Sequence, residues 1–371
     1  MADRRLEELA PSAPSPTAIG RLSPSLSEAL RACALQAAFM RDGEFDVLRR
    51  PSTASALGLT CHDLTEAVSS GDFNSLKGTA LEDALKQAWD AGIEGHYREL
   101  QAAWPLGTVP APERWPGYGP TRRRLLRALA AQANAQARRT RAPSGRVLVE
   151  QLLEPEDIPL HGRADRVERE AGETRIVDLK SGSSRPPELR PVHRRQLLIY
   201  CYLWHALHGE WPKEAAIQRL DGSRMTLEVD PAEAKAIAET LLEQREGFNS
   251  SVEGPGSVWE LGSPSPESCQ YCDFKGVCPA FLASTREAWG WYRRHVLGIV
   301  SEVARMDSIT RLDIAVEAGN LSPDIDRAGV VGVPVDIAPL KGARVAVVDA
   351  LPTPVPSELR VGWDSHLCTW S

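Results

Sequence analysis

Apolar residues recur at helical spacing through the first third of the chain. Leu30, Cys33, Ala34 and Ala37 share one face of a helix predicted over Leu26–Met40. Ser25 is placed to cap it, and Glu28 three residues on completes a capping box. Ser55–Val68 reads as a second helix. Thr79–Ala103 reads as a long third, with Leu81, Leu85, Ala88, Trp89, Ile93, Tyr97 and Leu100 in phase. A turn-rich linker, Pro105–Pro120, leads into a helix over Thr121–Arg141. The period then changes. Val147–Leu153, Leu160–Glu168 and Thr174–Leu179 read as strands. Pro191 and Gly209 bracket a strong helix. Ala215–Leu220 and Met225–Val229 read as strands joined at Asp221-Gly222, and Pro231–Phe248 as a helix.

The ends of the chain differ from its middle. Residues 1–22 are rich in Pro and Ser and read as a disordered leader without a secretory h-region, which predicts a cytoplasmic protein. Residues 287–371 form an appendage of unassigned role. Helices are predicted there over Ala288–Ala304 and Ser308–Ala318, and strands over Val330–Val335, Ala343–Val348 and Leu359–Trp363, a small β module. The longest unbroken apolar run, Leu197–Trp204, is far too short to span a membrane. At 371 residues, two domains or one large domain with an appendage are expected.

Charge is unevenly spread. The net charge of −7 argues against a general nucleic-acid coat, yet residues 121–200 hold 17 basic and 10 acidic residues. Arg122, Arg123, Arg124, Arg127, Arg138, Arg139 and Arg141 lie on one predicted helix with no acid among them. A basic face on an acidic body suits a protein that grips phosphates in one place.

Seven cysteines without a signal peptide argue against a disulfide framework. Three form Cys269-x2-Cys272-x5-Cys278-Pro279, a clustering that implies metal, because the thiolates can converge on one centre. The acids are equally suggestive. Asp165, in Gly162-Arg163-Ala164-Asp165, and Asp178, in Asp178-Leu179-Lys180, lie toward the ends of consecutive predicted strands. A hairpin would bring them together, and paired carboxylates favour a divalent cation. Lys180 shares a strand face with Asp178 and can orient a water or stabilise charge on a phosphate. Gln196 and Tyr200, four apart, share a helix face. His62 and Glu150 are further candidates, although a lone His or Glu is more often structural.

Taken in order, Cys33, His62, Glu150, Gly162-Arg163-x-Asp165, Asp178-x-Lys180-Ser181-Gly182, Gln196-x3-Tyr200 and Cys-x2-Cys-x5-Cys-Pro resemble the PD-(D/E)XK nuclease superfamily. The set is most similar to its RecB-like branch with an iron–sulfur cluster, which includes CRISPR-associated RecB-like exonucleases. The resemblance covers residues 23–286. It implies a restriction-endonuclease-like α/β fold, a mixed central sheet flanked by helices, with a helical N-terminal part. It also implies Mg2+ or Mn2+ on His62, Asp165, Asp178 and the carbonyl of Leu179. Lys180 would position the attacking water, with Gln196 and Tyr200 beside it. Cys33, Cys269, Cys272 and Cys278 would hold a [4Fe-4S] cluster. Zinc fits four thiolates equally well on geometry, and Cys61 rivals Cys33 as first ligand. Ala164 stands where the superfamily pattern has Pro, and Ala34 replaces the usual Pro after the first cysteine.

The function so implied is a metal-dependent deoxyribonuclease, an exonuclease on single strands or DNA ends, acting in repair, recombination or phage defence with a helicase or defence-complex partner. Arg122, Arg123, Arg127, Arg194 and Arg195 would follow the DNA. The competing expectations are a DNA-binding structural subunit of a helicase–nuclease complex and a CRISPR spacer-acquisition nuclease.

Overall fold

The computed structural model describes residues 12–139, 145–180, 188–285 and 289–370. Expectations for Ser181, Gly182, Arg141, Arg185 and the side chains of Arg138 and Arg139 fall outside this description. The helix expected over 26–40 is two helices, α1 (Pro24–Ala32) and α2 (Ala34–Met40). Ser23, not Ser25, caps α1: its side chain accepts from Leu26 N, and Pro24 takes the first helical position, where no N–H is needed. Cys33 is extended (φ −166°, ψ 113°) and breaks the run between them. The part of the leader before α1 is tied down. Ile19 and Leu22 are buried. Ile19 N donates to Asn249 Oδ1 at 2.7 Å, and Leu22 forms a bridge with Leu160.

Helices α3 (Thr53–Ser70), α4 (Gly78–Ala103) and α5 (Tyr118–Arg139) form a bundle. A Ser52–Ser55 capping box opens α3, and Gly71, left-handed at φ 95°, ends it. Leu57, Leu64, Leu85, Trp89, Leu125 and Leu129 meet in the bundle's own core.

The next unit is a five-stranded sheet with strand order β1-β2-β3-β4-β5. Its strands are β1 (Gly145–Leu153), β2 (Gly162–Glu170), β3 (Glu173–Lys180), β4 (Glu214–Arg219) and β5 (Arg224–Glu228). The β3–β4 pair is parallel and the others antiparallel. Parallel neighbours need a crossover, and α6 (Pro191–His208) supplies it. The unbroken apolar run Leu197–Trp204 is explained by this placement: α6 is packed between the sheet and α7 (Pro231–Glu253), so little of it reaches solvent. The short helices α8 (Pro266–Cys269) and α9 (Pro279–Ser284) frame the cysteine loop.

The appendage is a β barrel, and both helices expected in it are strands. They are β6 (Arg294–Met306) and β7 (Ile309–Gly319), followed by β8 (Arg327–Pro334), β9 (Arg344–Pro352), β10 (Glu358–Arg360) and β11 (His366–Trp370). Around the ring the order is β6-β7-β8-β10-β9, with β8 and β10 parallel, the order of an OB fold. Leu359–Pro352 and Arg360–Leu351 close it, and β11 adds to β9 outside the ring. β-branched Val296, Ile299, Val300 and Val303 favour the strand. The close approach of β7 in turn requires glycine at 298: a Cβ there would lie 1.9 Å from the Ala315 carbonyl oxygen. The barrel sits on the cysteine loop. Lys275, 5% exposed, reaches Asp349 at 2.7 Å, and a Cβ on Gly276 would lie 2.6 Å from Cys368 Sγ. It also touches the helical bundle through the edge-to-face pair Trp104–Trp363.

Candidate active site

Strand register assembles the carboxylates. The pair Arg166–Val177 joins β2 to β3, so Asp165 and Asp178 face each other one step further along. The pairs Val149–Arg166 and Gln151–Ala164 flank Glu150, which therefore faces Asp165 across β1–β2. Three acids on three neighbouring strands thus occupy one row. Glu150 is left-handed (φ 48°), a conformation costing about 1–3 kcal/mol for a residue with a Cβ. His62, on α3, completes the group, with Nδ1 3.8 Å from Asp165 Oδ2 and 4.0 Å from Glu150 Oε1. One ligand atom from each of His62, Glu150 and Asp165 lies within 4.8 Å of the others, a spacing that suits a cation.

Glu150 is the residue that the expected metal set lacked. Asp178, which that set included, is engaged differently. It is 1% exposed, and Lys180 Nζ lies 2.6 Å from its Oδ2. Lys180 also donates to Gln196 Oε1 at 3.5 Å, and Gln196 Nε2 donates to Tyr200 OH at 2.9 Å. The row Asp178–Lys180–Gln196–Tyr200 is therefore continuous. Leu179 contributes its backbone N–H, which donates to Asp165 Oδ2 at 2.6 Å. Gly162 is needed here for space, because a Cβ would lie 2.6 Å from Tyr200 Cε1.

Burial dominates the electrostatics of the three carboxylates. Burial raises Asp165 above the ordinary carboxylate range, although His62 and the Leu179 N–H pull it back. Burial likewise raises Asp178, against the pull of Lys180, and raises Glu150. Burial also raises the Tyr200 hydroxyl, so it stays neutral as it accepts from Gln196. Three carboxylates strained toward protonation can be relieved by a divalent cation.

The arginines divide. Arg194 pairs with Glu233 of α7 and Arg195 with Glu28 of α1, the latter through two bonds of 2.7 and 2.8 Å. These pairs tie α6 to its neighbouring helices. Arg122 reaches Asp90 at 3.1 Å. Arg123 and Arg127 are exposed on α5.

Cys33, Cys269, Cys272 and Cys278 line one pocket walled by Phe39, Phe274 and Phe281. Backbone N–H groups approach two of the sulfurs: Ser263 N lies 3.5 Å from Cys33 Sγ and Phe281 N 3.4 Å from Cys278 Sγ. Burial pushes the Cys272 thiol up to about 12 and raises Cys269 and Cys278, with neighbouring thiols adding to it. Cys61 sits elsewhere, buried on α3 beside His62.

A family model of the PD-(D/E)XK nuclease superfamily matches residues 21–279. The chain belongs to this superfamily. Its enzymes are nucleases that use divalent metal ions, and as a PD-(D/E)XK nuclease the chain carries its acids, histidine and lysine inside the matched span. The solved structure described as "Crystal structure of SSO0001" is 14% identical, with a TM-score of 0.30, covering 76% of this chain and 95% of that one. No curated protein matches the chain. Among the described residues, no helix is long and apolar enough to cross a membrane.

Proposed function

We propose that this PD-(D/E)XK nuclease is a deoxyribonuclease that takes Mg2+ or Mn2+ and degrades single strands or DNA ends as an exonuclease. The observation that carries the reading is the row of Glu150, Asp165 and Asp178 across three strands, with His62 at one end and Lys180 on Asp178. His62, Glu150 and Asp165 would hold the ion, with Asp178 and the Leu179 carbonyl adjoining. When bound, a divalent ion polarises the phosphate and lowers the pKa of a water. Asp178 holds Lys180 and Gln196 limits its swing, which leaves the ammonium positioned to orient an attacking water or to stabilise charge on a phosphate. Tyr200 keeps Gln196 in that orientation.

The test is degradation of 5′- and 3′-labelled single-stranded DNA with Mg2+, Mn2+ or EDTA, beside Asp178→Ala, Lys180→Ala and a matching RNA. Metal-dependent loss of DNA label that both variants lose is the expected result, and the label pattern gives polarity. Equal cleavage by parent and variants refutes the assignment. Binding without cleavage moves the chain to a DNA-holding role.

For the second centre, we infer that the four cysteines hold a [4Fe-4S] cluster. The four thiols share one phenylalanine-walled pocket, and backbone N–H groups point at two of the sulfurs, surroundings that suit a cluster held by thiolates. Tetrahedral zinc is the competing occupant. The cluster's role is structural, since it would join Cys33 to a loop 236 residues away. Iron and sulfide analysis of anaerobically purified protein tests this, and stoichiometric zinc would refute it.

A further inference from the structure

A cavity of about 260 Å3 opens beside the acid row, sharing His62 and Leu179 with it. It lies between α3, α5 and the β4–β5 turn. Leu125, Ala128 and Leu129 of α5 and Leu220 give it apolar walls, and Thr65, Gln132, Gln218, Arg219 and Asp221 give it polar points. Gln218 is held from outside. Its carbonyl oxygen accepts from Arg166 and, at 3.0 Å, from Arg224, which turns its amide NH2 away from those arginines. Apolar walls combined with hydrogen-bonding groups on one side are what a nucleobase needs.

A second observation concerns charge. Exposed Arg124 and Arg127 stand one helical turn before Ala128 and Ala131, both of which line the cavity. Residues four apart share a helix face, so Arg124 and Arg127 stand on the part of α5 that adjoins the cavity wall. Phosphate chemistry at the lip and base chemistry inside describe one nucleotide of a polynucleotide.

We propose that this cavity receives one unpaired base next to the cleaved phosphate, so that the enzyme acts on a strand whose bases are free to turn out. The proposal rests on the nuclease reading above. A base still paired in a duplex cannot enter the cavity without leaving its stack, which makes the cavity a filter for single strands.

The test walks a single 2-aminopurine along an oligonucleotide bound to Asp178→Asn protein, and a single abasic site along the same oligonucleotide cleaved by the parent. One position, fixed relative to the cleaved bond, is expected to change in fluorescence. An abasic site at that position is expected to lower kcat/KM about tenfold, the scale of one lost base contact. Ala128→Phe, which fills the cavity, is expected to abolish the fluorescence change and make cleavage indifferent to the abasic site. Ala128→Ser is expected to keep both effects. Cleavage by the parent that ignores the abasic site at every position overturns the base pocket and leaves the nuclease standing. An Ala128→Phe protein that keeps the positional fluorescence also overturns it. Absence of metal-dependent cleavage on every substrate overturns the nuclease reading and the proposal with it.

Discussion

Gly162→Ala tests how the active-site row is supported. The new methyl would lie 2.6 Å from Tyr200 Cε1, 3.0 Å from Cδ1 and 3.4 Å from Leu203 Cδ1. Carbon contacts settle near 3.5–4.0 Å, so the ring must retreat by about 1 Å. It has little room, because Tyr200 is 5% exposed in the main core. Overpacking of this kind costs about 1–3 kcal/mol. Gly→Ala offsets about 0.4–1 kcal/mol of this by restricting the unfolded chain, since Gly162 does not need a positive φ. The net loss expected in urea unfolding is about 1–2 kcal/mol. The same 1 Å shift breaks the 2.9 Å bond from Gln196 to the Tyr200 hydroxyl and frees Gln196 from Lys180, so kcat falls about 10- to 100-fold. Tyr200→Phe keeps the ring and removes the hydroxyl. It is expected to lose activity to a similar degree while staying folded. Combining Gly162→Ala with Tyr200→Leu is expected to recover about 1 kcal/mol relative to the sum of the single changes. A coupling indistinguishable from zero would show that the methyl is accommodated elsewhere and would refute the reasoning.

Other consequences follow from the charges. Asp165, Asp178 and Glu150 are raised mainly by burial, so in EDTA the folded chain holds protons that the unfolded chain has released. The stability these three groups contribute is therefore fully present below the ordinary carboxylate range and is lost as pH rises through the raised folded values, opposite in sign to the contribution of the ion-paired Glu28 and Glu168, whose values are lowered. Melting curves from pH 4 to 8 are expected to show this decline, Mn2+ to reverse it increasingly toward high pH, and Asp178→Asn to flatten it; an Asp178→Asn slope equal to the parent's would contradict the assignment. Lys275→Met leaves Asp349 and the Gln270 carbonyl without their ammonium partner where the barrel meets the cysteine loop. Its cost should be about 3 kcal/mol in unfolding, and Asp349→Asn in the same chain should cost little more.

Much of the active site could be read in advance because its residues are close in sequence. Asp165, Asp178 and Lys180 come from one hairpin whose alternation is plain, and a hairpin brings its strand ends together whatever the rest of the chain does. Glu150 stood out as a carboxylate but not as a cation ligand, because its left-handed backbone and its register opposite Asp165 appear only once β1 is paired. Arg194 and Arg195 looked available for phosphates. Their partners, Glu233 and Glu28, lie 39 and 167 residues away and could not be inferred from neighbours. The helix break at Cys33 followed no glycine or proline. In the barrel, valines at mixed spacing imitated a helix, and the constraint that forbids one, the passage of β7 over Gly298, is a tertiary contact.

The long separation between Cys33 and its companion thiols sets a timetable. A ribosome adding about 5–20 residues per second releases Cys278 roughly 12–50 s after Cys33. Ile19 waits almost as long for Asn249, its hydrogen-bond partner. The stretch from Ile19 to Cys33 is thus made early and finished late. Throughout that interval Cys33 is a lone thiol on a nascent chain, open to oxidants and to stray metal. If, as proposed, the four thiols hold an iron–sulfur cluster, that cluster cannot be assembled before Cys278 is made, and the supply of iron and sulfide from then on limits how many chains acquire it.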